Sequence, residues 1–202
     1  MCWEIIAQAF WIILPAYIAN ASAVLVGGGT PIDFCKKYKD GKRLLGDGKT
    51  WNGLIIGGLI GTIGGFALAT TAPIINQILL ENNVETLRLT NFGGFPFMIP
   101  IIASIAYGAL FGDIIESFFK RRRNIKRGED WIPFDQVDFI LGVLFFSFLM
   151  SGFLHVLDIT ESNWFLDVLK IEYIAFLLIV TPFFHLISNF LHRKIKEHNS
   201  EK

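Results

Sequence analysis

Five long stretches of this 202-residue chain contain no Asp, Glu, Lys or Arg: 5–32, 50–80, 89–112, 139–157 and 173–192. A helix needs about 20 apolar residues to cross about 30 Å of hydrocarbon, and each stretch is about that long or longer. Backbone polar groups in lipid must be satisfied within the segment, which makes such runs helices. A transmembrane β-barrel would show alternating segments of about 10 residues, and the sequence has none. The expected fold is therefore all-α: a polytopic integral membrane protein with five transmembrane helices and a single membrane-embedded domain over 1–202. Charged residues make up 18% of the chain, against about 25% in soluble domains. Formal net charge is zero, which argues against a generally basic nucleic-acid binder.

The first run is too long for a signal-peptide core and lacks a positive leader, so it reads as an uncleaved span. Basic residues fix the expected orientation. Sixteen of the eighteen lie in three regions: 36–49, 120–127 and the tail from Arg193. In a five-span chain these regions share one side, and the positive-inside rule makes that side cytoplasmic. The N-terminus is expected outside and the C-terminus inside, with cytoplasmic loops 27–52 and 119–135. Cys2 and Cys35 then lie on opposite sides and are not expected to pair.

In the second run, Gly53, Gly57, Gly61 and Gly65 stack on one helix face and let another backbone approach. Packing within the chain is the expected use, with a homodimer face as the alternative. Pro15 and Pro73 are expected to kink or end their helices.

Three cytoplasmic features carry chemistry. Gly27-Gly28-Gly29-Thr30, with Lys42-Arg43 and Gly46-Asp47-Gly48-Lys49-Thr50, combines mobile backbone N–H groups with cations, a pattern suited to an anion. It is not a Walker loop, because no glycine lies five residues before Gly48. Asp113 and Glu116 are spaced to share a helix face at the end of the third span, with Ser117 and Lys120 beside them. Carboxylates bordering a span are costly and default to function. Asp135 and Asp138 repeat that spacing at the start of the fourth span, and a hairpin between these spans brings the pairs together. Four carboxylates beside many cations suggest Mg²⁺ bridging to phosphate, because Mg²⁺ binds through carboxylates plus substrate phosphates. His155 and His185 sit singly in apolar runs and read as packing residues. Asn20 is polar at depth, and it either bonds a neighbouring helix or lines a groove.

The stretches Asn20-Ala21-Ser22-Ala23, Gly28-Gly29-Thr30-Pro31-Ile32-Asp33, the run 40–51, Gly112-Asp113-Ile114-Ile115-Glu116-Ser117 through Lys120-Arg121, and Pro133-Phe134-Asp135-Gln136-Val137-Asp138 resemble the archaeal CDP-archaeol synthase family. The resemblance covers essentially the whole chain. Ser117-x-x-Lys120-Arg121, Lys126 and the final acids are also similar to CDP-diacylglycerol synthases, although the Pro-x-His-Gly-Gly element of the bacterial and eukaryotic enzymes is absent. The resemblance implies Mg²⁺-dependent transfer of CMP from CTP to 2,3-bis-O-(geranylgeranyl)-sn-glycerol 1-phosphate, an unsaturated prenyl-ether lipid phosphate, releasing pyrophosphate; the orientation set by the basic loops puts the expected site at the cytoplasmic face of the cell membrane. The expected catalytic residues are Asp113, Asp138 and Lys120. The expected metal ligands are Asp113, Glu116, Asp135 and Asp138. Lys42, Arg43, Gly46, Asp47, Gly48, Lys49, Thr50 and Lys126 are expected to bind CTP.

Two other functions compete. A CDP-alcohol phosphotransferase needs a D-G-x-x-A-R opening and a D-x-x-x-D close, whereas here Asp40-Gly41 is followed by Lys42-Arg43 and the acids close as Asp135-x-x-Asp138. A small transporter would place its acids near the bilayer midplane rather than beside basic loops.

Overall fold

The computed structural model describes residues 2–125, 129, 131 and 134–183. Lys126, Pro133 and the end of the expected fifth span lie outside them. Among the described residues, four helices are long and apolar enough to cross a membrane: α1 (Cys2–Leu25), α2 (Trp51–Glu81), α3 (Met98–Arg122) and α4 (Phe134–Val156). At 1.5 Å per residue, the 24 residues of α1 span about 36 Å and the 31 of α2 about 46 Å. A short α5 (Trp164–Val168) follows, and a shorter apolar helix, α6, is described over Ile171–Phe183. No strand occurs among the described residues; the first loop holds only the isolated bridges Pro31–Thr50 and Lys37–Arg43.

Both α1 and α2 run through their prolines, Pro15 and Pro73, without ending. Large side chains such as Ile55, Leu59, Ile63 and Phe66 stand exposed along α2. On a soluble protein such a row would be an interaction or aggregation surface; on a spanning helix it is the lipid face.

The glycine stripe of α2 is used within the chain. Gly53, Gly57, Gly61 and Gly65 are all buried. A Cβ added at Gly57 would lie 2.8 Å from the Ala23 Cβ, and one at Gly61 would lie 2.6 Å from the Ala19 Cβ. At Gly65 it would meet Pro15 and Ile102. Small residues thus meet small residues along α1 and α2, with α3 closing over the end of the stripe.

A second close approach joins α3 to α4. Gly108, Gly112 and Gly142 put backbone on backbone: a Cβ at Gly108 would sit 2.8 Å from the Gly142 carbonyl oxygen, and one at Gly112 would collide with Asp138 and Phe139. This contact sets the spacing of the acidic residues on the two helices.

The opposite end of the bundle is tied by polar bonds to one short segment. The Asn76 side chain accepts from Leu89 N at 2.8 Å and donates to Leu89 O at 2.9 Å. Trp11 Nε1 donates to Thr90 O at 2.9 Å and Trp164 Nε1 to Thr90 Oγ1 at 3.3 Å. Fully buried Phe92 stacks on Trp164. Asn163 caps α5, accepting from Phe165 N and Leu166 N.

Candidate active site

The C-terminal ends of α1 and α3 and the N-terminal ends of α2 and α4 gather at one end of the bundle, where the first loop folds over them. Asp33 organises that loop. Its carboxylate is inaccessible to solvent. It accepts from Arg43 Nε at 3.0 Å and Nη2 at 2.9 Å, and from the backbone N–H groups of Cys35, Leu45 and Gly46 at 3.1–3.2 Å. Burial opposes ionisation of Asp33, but the Arg43 guanidinium and these N–H groups outweigh it and hold the carboxyl well below the usual carboxylate range. Arg43 also pairs with Asp47 at 2.9 Å. Lys42 Nζ donates to Arg122 O at 2.8 Å, and Arg122 returns bonds to Arg43 O and Asp40 while lying over the rings of Tyr38 and Phe118. The loop is thereby latched to the end of α3.

This latch yields a prediction. Asp33→Asn should lower the hydrogen-exchange protection of the Cys35, Leu45 and Gly46 amides about tenfold or more, because charge-assisted bonds to a carboxylate are roughly twice as strong as neutral ones. Because its folded-state pKa is depressed, Asp33 contributes stability that is complete above its unfolded value of about 3.9 and is lost as pH falls below it. Wild-type protection, corrected for intrinsic exchange, should therefore hold down to about pH 4 and decline below it. Unchanged protection in Asp33→Asn would mean that something else holds the loop.

Thr50 caps α2 and joins it to the glycine turn: its Oγ1 accepts from Gly53 N at 3.2 Å and Gly28 N at 3.3 Å. Beside it opens a polar cavity of about 350 Å³ lined by Asn20, Gly27, Gly28, Gly48, Lys49, Thr50 and Asp113, among others. Backbone N–H groups at a helix start suit an anion, and Lys49 supplies a cation. Lys49 Nζ pairs with Asp113.

Asp113, Glu116 and Asp138 form one cluster, each offering an oxygen within 4.8 Å of the others. Three hard oxygen donors at that spacing match the ligand type of a divalent metal, so these residues fit the expected ion. Asp135 lies beside Glu116 but outside that set of three: its Oδ2 accepts from Lys120 Nζ at 2.7 Å and from Trp131 N at 2.9 Å. Lys120 also pairs with Glu116 at 3.1 Å and so bridges the cluster to Asp135. On the far side of the cluster lies an apolar cavity of about 450 Å³, bordered by Glu116, Asp138, Arg123, Trp131 and a wall of phenylalanines.

The structure thus brings together Asp113, Glu116, Asp138, Lys120, Gly48, Lys49 and Thr50. Asp47 lines the polar cavity while pairing with Arg43. Lys42, Arg43 and Gly46 are turned to the loop's own architecture. The organising roles of Asp33 and Arg122 have no signal in the sequence. Of the two roles open to Asn20, the structure favours the groove: it lies in the cavity wall with Oδ1 buried and unpartnered among the described residues.

Clustered acids at one end of a bundle of membrane-length helices, with a polar cavity on one side and an apolar cavity on the other, form the kind of site expected of a membrane-embedded enzyme. A family model described as CarS-like, CDP-archaeol synthase, matches residues 2–199. CDP-archaeol synthase of Thermococcus kodakarensis is 39% identical over 182 residues, covering 90% of this chain and 88% of that protein. That of Methanocaldococcus jannaschii is 34% identical over 195 residues, covering 96% of each. A solved structure of an intramembrane enzyme for archaeal membrane lipids biosynthesis is similar at a TM-score of 0.60 and 31% identity, covering 91% of this chain and 94% of that one. The chain belongs to the CarS-like CDP-archaeol synthase family, a family of nucleotidyltransferases in archaeal lipid biosynthesis.

Proposed function

We propose that this protein transfers CMP from CTP to an unsaturated prenyl-ether glycerol phosphate, giving CDP-archaeol and pyrophosphate, as one membrane-embedded domain whose active site faces the cytoplasm of the cell membrane. Family membership supports the reaction. The observation that carries the mechanism is the carboxylate cluster shared between two unlike cavities: Asp113 borders the polar one, while Glu116 and Asp138 border the apolar one.

The polar cavity takes the nucleotide. The α2 N-terminus, Gly48, Lys49 and Thr50 receive its phosphates, and Asn20 with the backbone near Asp47 meets the nucleoside. Lys42, Arg43 and Gly46 act through the loop shape they maintain. The apolar cavity takes the lipid, with Arg123 near its phosphate and the phenylalanine wall along its chains. Asp113, Glu116 and Asp138 would hold Mg²⁺, which supplies charge neutralisation and Lewis acidity for phosphoryl chemistry. Asp135 fixes Lys120 against Glu116, and Lys126 lies outside the described residues.

The lipid phosphate is already an anionic nucleophile, so no Ser, Cys or His needs to generate one. One of its oxygens forms a bond to the α-phosphorus of CTP. The bond from that phosphorus to the bridging oxygen breaks, and its electron pair leaves with pyrophosphate. The chain contributes alignment and charge: Lys49 pairs with Asp113 and Lys120 with Glu116, and the close α3–α4 contact holds the acids at a fixed spacing.

Pyrophosphate release from CTP by the purified protein should require the prenyl-ether phosphate. Consumption of a CDP-lipid in place of CTP would make it a phosphotransferase, and release of no pyrophosphate under any lipid would return the transporter reading.

A further inference from the structure

The end of the bundle away from the carboxylates contains a second polar cavity, of about 590 Å³, which the reaction does not use. Two cations line it, Arg88 and Lys170. They are the two basic residues of the chain outside its three basic regions, and neither makes an ion pair among the described residues. Gln8, on α1, lines the same cavity. It is only 6% exposed, and its Oε1 is buried with no hydrogen-bond partner among the described residues. An unsatisfied acceptor in such a place is costly, and it marks where a donor is missing. Glu85 and Asp167 also border the space.

The wall is preformed. Thr90, which lines the cavity, is held by both Trp11 and Trp164, and Asn76 is pinned to Leu89. A rigid wall lowers the ordering cost of binding. Two cations call for an anion. The Gln8 oxygen and two carboxylates call for hydroxyl or ammonium hydrogens on the same molecule.

We propose that this cavity binds a phosphate ester whose head group also carries hydrogen-bond donors, at the membrane face opposite the active site. Arg88 and Lys170 take the phosphate, and Gln8 Oε1 accepts from the donor.

The full chain in detergent at about 150 mM salt, an ionic strength that screens loose surface attraction, would be titrated with phosphatidylglycerol, phosphatidylethanolamine, phosphatidylcholine and sn-glycerol 3-phosphate, reading the melting temperature and the ligand retained in native mass spectrometry. Phosphatidylglycerol and phosphatidylethanolamine should stabilise saturably, and phosphatidylcholine, with a phosphate but no head-group donor, should not. The Arg88→Ala/Lys170→Ala double variant should raise the half-saturating concentration at least tenfold, with CTP turnover unchanged. Gln8→Leu should raise it several-fold while leaving the ligand-free melting temperature equal or higher. A response confined to the lipids makes the occupant a bilayer lipid; a matching, variant-sensitive response to sn-glycerol 3-phosphate makes it a soluble ester. Either supports the site. Equal response to phosphatidylcholine, no saturable response at all, or unchanged half-saturation in the double variant and in Gln8→Leu overturns it.

Discussion

Asp113→Asn and Asp138→Asn should each reduce CTP turnover by about 10²–10³-fold or more, the scale of losing one preorganised electrostatic contact in an active site. They should do so without unfolding the protein. Asp113, Glu116 and Asp138 lie with oxygens within 4.8 Å of one another. At an effective dielectric near 20, two ionised carboxylates at that separation repel by of order 3 kcal/mol. Removing Asp138 relieves that repulsion and breaks no ion pair among the described residues, so in chelator Asp138→Asn should melt no lower than wild type, whereas Asp113→Asn also gives up its pair with Lys49. For Asp138 stability in chelator and turnover with Mg²⁺ therefore do not fall together, a pattern that a purely structural acid would not give. Asp135→Asn should do less to turnover at saturating metal, because its carboxylate holds Lys120 and Trp131 N rather than joining the cluster. Near-normal turnover in purified Asp113→Asn or Asp138→Asn would remove the metal assignment.

The second large effect comes from a residue with no functional group. Gly112→Leu should cost about 3 kcal/mol or more, at or beyond the upper end for overpacking. The neighbour at Gly112 is the backbone at Asp138 and Phe139, and backbone cannot rotate away as a side chain can. To accommodate the side chain, α3 must move from α4 where the acids face each other, so surviving protein should also lose turnover. Gly112→Ala should show a smaller version of both losses. Ile63→Ala, at a lipid-facing position 67% exposed, is the matched control and should change neither. The measurement pairs a detergent melting curve with CTP turnover. Full activity in Gly112→Leu would mean that the helix contact does not set the spacing of the acids.

The helices and the acids were largely legible in the sequence. Absence of charge over about 20 residues has one structural solution in lipid, which is why the first four runs became α1 to α4. Asp113, Glu116 and Asp138 were legible because a costly carboxylate at a span's edge needs a reason. Asp135 was not separable from Asp138 by spacing: three residues apart is one helix face, but Asp135 lies in the first turn of α4, where it meets Lys120 and its own N-terminal flank. Lys42 and Arg43 looked like nucleotide ligands because they are cations in a glycine-rich loop. Their destination depended on Asp33, whose burial is a property of the folded loop rather than of its composition. The contact of Gly108 and Gly112 with Gly142 was equally hidden. The stripe in α2 repeats every four residues over four glycines, whereas this seam is divided between two helices: α3 offers a single four-residue step, Gly108 to Gly112, and α4 the lone Gly142.

The shared wall of acids has a meaning beyond catalysis of one bond. CTP dissolves in water and the prenyl-ether phosphate in hydrocarbon, so in the proposed reaction the partners have no common solvent. Asp113 borders a polar cavity while Glu116 and Asp138, one turn or one helix away, border an apolar one. Each reactant can stay in its own phase and present only its phosphate to the boundary. The protein then works as a phase-transfer catalyst whose interface is three carboxylates wide.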